Sequence, residues 1–219
     1  MTLFVIVYLV ALFCYFFTRF SDKKLYRALN KYLMATMYLV LGIVTFVRKY
    51  EFTSYQTILM AALFFAWLGD IFLIFDFGRG GDFFLAGNVC FTLFEVAVMK
   101  DHGLHLWDFG WAFAVSGIMI LLFILSCKFK PETFKLGKMR MPMTFYLMSI
   151  FTHGMTGMAM AMLLPGTNYV MMGIGSVLFM ISDMILVTYK FVLGDNIWLI
   201  RANSLTYFTG LLLIVLSTL

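Results

Sequence analysis

Long apolar runs, each broken by a few polar positions, alternate with short charged segments along the whole chain. A helix needs about 20 mostly apolar residues to cross the hydrocarbon of a bilayer. Eight runs approach that length, at residues 2–18, 31–47, 54–75, 83–99, 106–127, 142–164, 168–190 and 197–218. They lack the period-two alternation of membrane barrel strands. The pattern predicts an all-α polytopic membrane protein with about eight transmembrane helices. They form one integral membrane domain over 1–219, with no room for a soluble one. The first run has no preceding basic region and no small-x-small cleavage pattern, so it reads as a retained helix rather than a signal peptide.

Within these runs, acids stand out. Trp67-Leu68-Gly69-Asp70-Ile71-Phe72-Leu73 places a carboxylate in an apolar helix directly after a glycine. Met180-Ile181-Ser182-Asp183-Met184-Ile185-Leu186 repeats the arrangement with a serine as the small residue. A charged Asp at the centre of a membrane helix costs about 3 kcal/mol on insertion scales, so such a residue marks a site by default. Both acids fall about two-thirds along their helices. The small neighbours would allow close helix approach. Asp70 to Asp82 and Asp183 to Asp195 have equal spacing, and each ends in Gly-Asp. Together these features suggest two parallel four-helix repeats, 1–105 and 106–219, related by an axis along the membrane normal. The two Asp helices would then face each other across the centre of the bundle.

Other polar positions are weaker. Asn88 and Glu95 lie on the fourth helix, and Arg201, Asn203 and Tyr207 open the eighth. Ser149, His153 and Thr156 form a stripe on the sixth, facing protein rather than lipid. The segment 76–82 is glycine-rich and reads as a tight turn. It lacks the Lys-Ser/Thr ending of a phosphate loop. His102 and His105 have no third ligand placed with them, and no metal or cofactor motif is present. Cys14, Cys90 and Cys127 read as small apolar side chains.

Composition adds little to the class: the chain is 63% hydrophobic and 12% charged, with 26 Phe and 18 Met. Charge adds orientation. The net +5 is concentrated in the segments Arg19–Lys31 and Lys128–Arg140, which lie on one side if eight helices alternate. That distribution argues against nucleic acid as a partner. By the positive-inside rule it puts the basic loops in the cytoplasm and both termini outside, in the plasma membrane. Asp70, Asp183, Asn88 and the start of the eighth helix then share the cytoplasmic half.

Two carboxylates held together away from water do not both ionise readily. A protonated acid beside a carboxylate suits reactions that pass through an oxocarbenium ion, as in glycoside hydrolysis. No Ser-His-Asp, His-Glu-x-x-His or Cys-His arrangement competes. No lysine falls in the middle of a predicted span, which weighs against a Schiff-base site. Two other classes use the same residues: a small transporter or channel moving protons or cations through the acidic pair, and a non-catalytic protein in which each Asp ties helices together.

The arrangement resembles the YhhN-like membrane proteins, which include the lysoplasmalogenases. The resemblance rests on Leu68-Gly69-Asp70-Ile71-Phe72-Leu73, Phe84-Leu85-Ala86-Gly87 with Phe91, Gly175 to Phe179 with Ser182-Asp183, and Tyr207-Phe208 leading to Leu213-Ile214. It implies an eight-helix fold and hydrolysis of the vinyl ether bond of lysoplasmalogens to a fatty aldehyde and glycerophosphoethanolamine or glycerophosphocholine. Asp70 and Asp183 would be acid and base. Arg201 would hold the phosphate, with Arg79 and Lys190 as lesser candidates. Asn88, Asn203 and Tyr207 would position water or glycerol oxygens. The chain departs from the family pattern at Glu95 (His expected), Val98 (Tyr) and Leu211 (Gln). Glu95 would then join the substrate site, with His153 partly replacing the missing His.

Overall fold

A computed structural model describes residues 2–18, 24–48 and 54–218. Among the described residues there are eight α-helices and no strand. They are α1 Thr2–Thr18, α2 Lys24–Arg48, α3 Ser54–Phe75, α4 Phe77–Asp101, α5 Leu106–Phe129, α6 Arg140–Leu163, α7 Tyr169–Thr188 and α8 Ile197–Leu216. A 3-10 turn, Gly137–Met139, leads into α6, and a π-helical turn, Tyr189–Leu193, extends α7. Six of the helices, α2, α3, α4, α5, extended α7 and α8, are long and apolar enough to cross a membrane. α1 is apolar but only 17 residues long. α6 has the length, at 24 residues, but its polar stripe lowers its hydropathy; that stripe is buried against neighbouring helices. The chain is a multi-pass helical membrane protein.

Two boundaries differ from the sequence pattern, each for its own physical reason. α2 begins at Lys24 rather than at 31, because Arg27 and Lys31 belong to the helix and not to a loop. Long basic side chains can run along an apolar surface while the backbone stays helical. α4 begins at Phe77 rather than at 83. Only Asp76 separates it from α3, and its carboxylate accepts the backbone N–H groups of Gly78 (2.8 Å) and Arg79 (3.2 Å) as an N-cap. The expected glycine turn is therefore helix. Asp82 lies inside α4 while Asp195 precedes α8, so the two Gly-Asp pairs are not structural equivalents. Asn196 caps α8 in the same way as Asp76 caps α4.

Helix neighbours follow the same order in the two halves. α1 packs on α2, α2 on α3 and α3 on α4; α5 packs on α6, α6 on α7 and α7 on α8. Between halves, α4 packs on α6 and α8 packs on α2. The additional contact of α1 with α8 has no counterpart among the principal packings.

Without a hydrophobic force between helices in lipid, close backbone approach matters. Such contacts join α7 to both its neighbours: a Cβ on Gly173 would sit 2.4 Å from the carbonyl oxygen of Gly157 on α6, and α8 comes nearly as close. A Cβ on Gly175 would sit 2.6 Å from the carbonyl oxygen of Gly210, and one on Gly210 2.8 Å from that of Gly175. Backbone cannot step aside as a side chain can. Gly175→Ala is expected to destabilise the protein by about 1–3 kcal/mol, measured by thermal unfolding in detergent. Gly110→Ala on α5, where nothing lies within 4 Å, should leave stability nearly unchanged.

Candidate active site

Asp70 and Asp183 line one cavity of about 420 Å³. They are 2% and 4% exposed, each near the end of its helix that faces the start of α2. The small residue before each acid makes a specific contact. The Phe84 ring lies where a Cβ on Gly69 would be, 2.8 Å away. Ser182 exchanges hydrogen bonds with α8: its hydroxyl donates to the Asn203 carbonyl (3.1 Å) and accepts from Asn203 Nδ2 (2.8 Å).

The surroundings of the two carboxylates are unequal. Asp70 Oδ2 accepts hydrogen bonds from the Tyr207 hydroxyl at 2.8 Å and the Tyr38 hydroxyl at 3.2 Å. Its Oδ1 lies 3.1 Å from Lys31 Nζ, whose side chain is 14% exposed. Asp183 Oδ2 accepts from the Tyr146 hydroxyl. Among the described residues no ion pair reaches Asp183. Each acid thus takes a phenol from the preceding helix, Tyr38 on α2 for Asp70 and Tyr146 on α6 for Asp183. Seven residues before Tyr38, on the same helix face, stands Lys31; seven before Tyr146 stands Met139. The two half-sites differ by that cation.

Arg27 and the exposed Lys190 also line the cavity, with Asn203, Ser204 and Tyr207 from α8 and the apolar Leu73, Phe77, Phe84, Leu186 and Phe208. The site is basic at its open side and apolar along its walls.

The remaining candidates lie elsewhere. Glu95 and His153 are fully buried between α4, α6 and α7. Glu95 accepts from the hydroxyls of Thr156 and Ser176, the latter at 2.8 Å. His153 Nδ1 is 3.1 Å from Glu95 Oε1, without the alignment of a hydrogen bond, and its ring stacks on Phe91 at 4.8 Å. Asn88 Nδ2 donates to Ser149 Oγ at 3.3 Å. Asn88, Glu95 and His153 are absent from the cavity lining, as are Val98 and Leu211. The guanidinium of Arg201 sits 5.0 Å from the Phe16 ring and 5.3 Å from that of Trp198, also outside the lining. Arg79 is exposed, 3.8 Å from Asp76.

Lys31, Tyr38, Tyr146 and Arg27 were not singled out as site residues by the sequence pattern. Lys31 lies seven residues inside α2, deeper than the sequence pattern placed it, though not in the middle of that helix. The signal for these residues is the seven-residue spacing of Lys31 and Tyr38 on the helix preceding an Asp helix. Among the described residues no three His, Cys, Asp or Glu side chains gather as a metal site. Cys14, Cys90 and Cys127 are free thiols.

These features define a class, a multi-pass helical membrane protein with a buried carboxylate pair in a basic-mouthed cavity. Residues 26–218 match the model of the YhhN family, and the chain belongs to that family. No curated protein and no solved structure matches it.

Proposed function

We propose that this protein hydrolyses the vinyl ether bond of lysoplasmalogens, releasing a fatty aldehyde and a glycerophospho-headgroup. Membership of the YhhN family supports this chemistry. The observation that carries it is the unequal pair of buried carboxylates on one cavity. Asp70 has a cation and two phenol donors and is given the carboxylate role. Asp183 has one phenol donor and, among the described residues, no ion pair, and is given the acid role.

In this reading Asp183 delivers its proton to the alkenyl carbon two bonds from the ether oxygen. The π electrons form the new C–H bond, and the oxocarbenium ion that results is stabilised by the Asp70 carboxylate. Asp70 then takes a proton from a water molecule as its oxygen bonds to the cationic carbon. The hemiacetal breaks its C–O bond to the glycerol, giving aldehyde and alcohol, and the two acids return to their starting states through cavity water. Asn203 and Tyr207 orient the water or the glycerol oxygens. General acid–base catalysis of this kind contributes typically 10²–10⁴-fold.

Arg27 and Lys190 are placed to hold the phosphate, in preference to Arg201 and Arg79. Arg27→Gln and Lys190→Gln are expected to raise KM by about tenfold with little change in kcat, measured by aldehyde release over a range of substrate concentrations. The three departures from the family pattern, Glu95, Val98 and Leu211, leave the cavity untouched and are compatible with activity. The helix order supports a parallel repeat of 1–105 and 106–219 with the cavity between its halves. We also read all eight helices as spans, with both termini outside and the cavity facing the cytoplasmic leaflet of the plasma membrane.

The test uses the purified protein in lipid nanodiscs. An alkenyl lysolipid and an acyl lysolipid of equal chain and headgroup are supplied in turn, and aldehyde and fatty acid are quantified. Aldehyde from the first and no fatty acid from the second is the expected result. No aldehyde, with proton or cation flux in liposomes, would replace the hydrolase by a transporter.

A further inference from the structure

Lys31 is the lysine that the structure sets apart from the others. It lies within α2, faces the Asp70 carboxylate at 3.1 Å and lines the cavity together with Phe84, Tyr207 and Phe208. Lys190 lines the same cavity but is exposed, as are Lys100, Lys128, Lys130, Lys135 and Lys138, and among the described residues none of these six has a carboxylate within 4 Å. A lysine held beside a carboxylate in an apolar cavity is a carbonyl-binding arrangement: lysine amines condense with aldehydes and ketones, and the carboxylate serves as proton acceptor first and counter-ion afterwards.

We propose that Lys31 is a covalent acceptor for long-chain aliphatic aldehydes, forming a protonated imine with Asp70 as its counter-ion. The aldehyde source rests on the hydrolase reading above; the site itself does not. The Lys31 ammonium gives one proton to Asp70, and the freed lone pair attacks the aldehyde carbon to form the C–N bond. The carbonyl π pair moves to oxygen, which takes a second proton from the nitrogen. Asp70 then returns its proton to that hydroxyl, the C–O bond breaks and water leaves. The nitrogen keeps one hydrogen and its positive charge. An ammonium becomes an iminium, so the Lys31–Asp70 ion pair is preserved through the reaction and no net charge is created or lost in the cavity. Tyr38 and Tyr207 continue to donate to Asp70. The apolar walls take the hydrocarbon chain. Because Asp70 is engaged by the adduct and the chain fills the cavity, the adduct is inactive until water hydrolyses it, and accumulated product holds the protein off.

The experiment supplies hexadecanal directly to the full-length protein in nanodiscs, with cyanoborohydride to reduce any imine, and maps alkylated lysines by peptide mass spectrometry. Labelling at Lys31 should exceed that at each exposed lysine several-fold and approach one per chain. An uncleaved acyl lysolipid should protect Lys31 while leaving the exposed lysines outside the cavity unaffected. Lys31→Arg should remove the label, and the wild-type protection pattern decides the matter if that variant does not fold. Label spread evenly over the exposed lysines, or absent from Lys31, overturns the proposal. Aldehyde release from a lysoplasmalogen is measured in parallel: Lys31 labelling without turnover removes only the hydrolase reading, and turnover without labelling removes only this one.

Discussion

Asp183→Asn is expected to reduce aldehyde release from a lysoplasmalogen by about 10²–10⁴-fold, with the protein still inserted and folded. The amide keeps the shape of the side chain and accepts the Tyr146 hydrogen bond through its carbonyl oxygen, yet it has no acidic proton to give. Loss is therefore in kcat, with KM nearly constant. Asp70→Asn is expected to fall into the same range, because the anion that stabilises the oxocarbenium ion and activates water is gone. The measurement is aldehyde release in nanodiscs at saturating substrate, with thermal unfolding recorded for each variant. Normal turnover in either variant would rule out the mechanism. The non-catalytic alternative predicts a change in unfolding and nothing else.

Lys31→Met is expected to lower stability by about 3–5 kcal/mol, the cost of leaving a buried charge without its partner. The carboxylate of Asp70 is 2% exposed and keeps only two neutral phenol donors in that variant. Adding Asp70→Asn should recover most of the loss, because no uncompensated charge remains. Asp70→Asn alone should cost less than Lys31→Met alone, since Lys31 reaches the open cavity and its ammonium can turn toward water. This double-mutant cycle, followed by thermal unfolding in detergent, isolates the pair. Additive effects of the two substitutions would show that the ion pair contributes nothing to the fold.

The helices were legible because a bilayer permits few solutions: long apolar runs separated by charge can hardly be anything else. Asp70 and Asp183 were legible because an acid in such a run is costly enough to require a reason. Their partners were not. A tyrosine in an apolar helix is unremarkable by pattern, so Tyr146 carried no signal until the fold brought it from α6 to α7. Lys31 was hidden by a boundary: basic residues at the first turns of α2 look like loop when charge is read as solvent exposure. Ser149, His153 and Thr156 were correctly a protein-facing stripe. That the stripe meets Glu95, rather than the cavity, is a matter of helix rotation, which spacing within one helix cannot supply. Short matches also mislead: the Gly-Asp spacing agrees in the two halves, yet one pair lies in a helix and the other in a loop, while a phenol on the helix before each acid does recur.

That last correspondence bears on how the chain is made. Proteins emerge from the ribosome amino terminus first. Lys31 and Tyr38 on α2 therefore reach the membrane before Asp70 on α3, and Tyr146 on α6 reaches it before Asp183 on α7. Each costly acid enters a bilayer that already contains one of its partners, and Tyr207 joins Asp70 only with α8. Glu95 on α4 has the opposite schedule, because Thr156, His153 and Ser176 are all synthesised after it. During biogenesis, α3 and α4 can settle as a one-residue-linked hairpin around Asp70, but α4 has an unmatched acid until α6 and α7 arrive. The first half of the protein is thus committed to waiting for the second, and a chain truncated after α5 would retain Glu95 as its exposed fault.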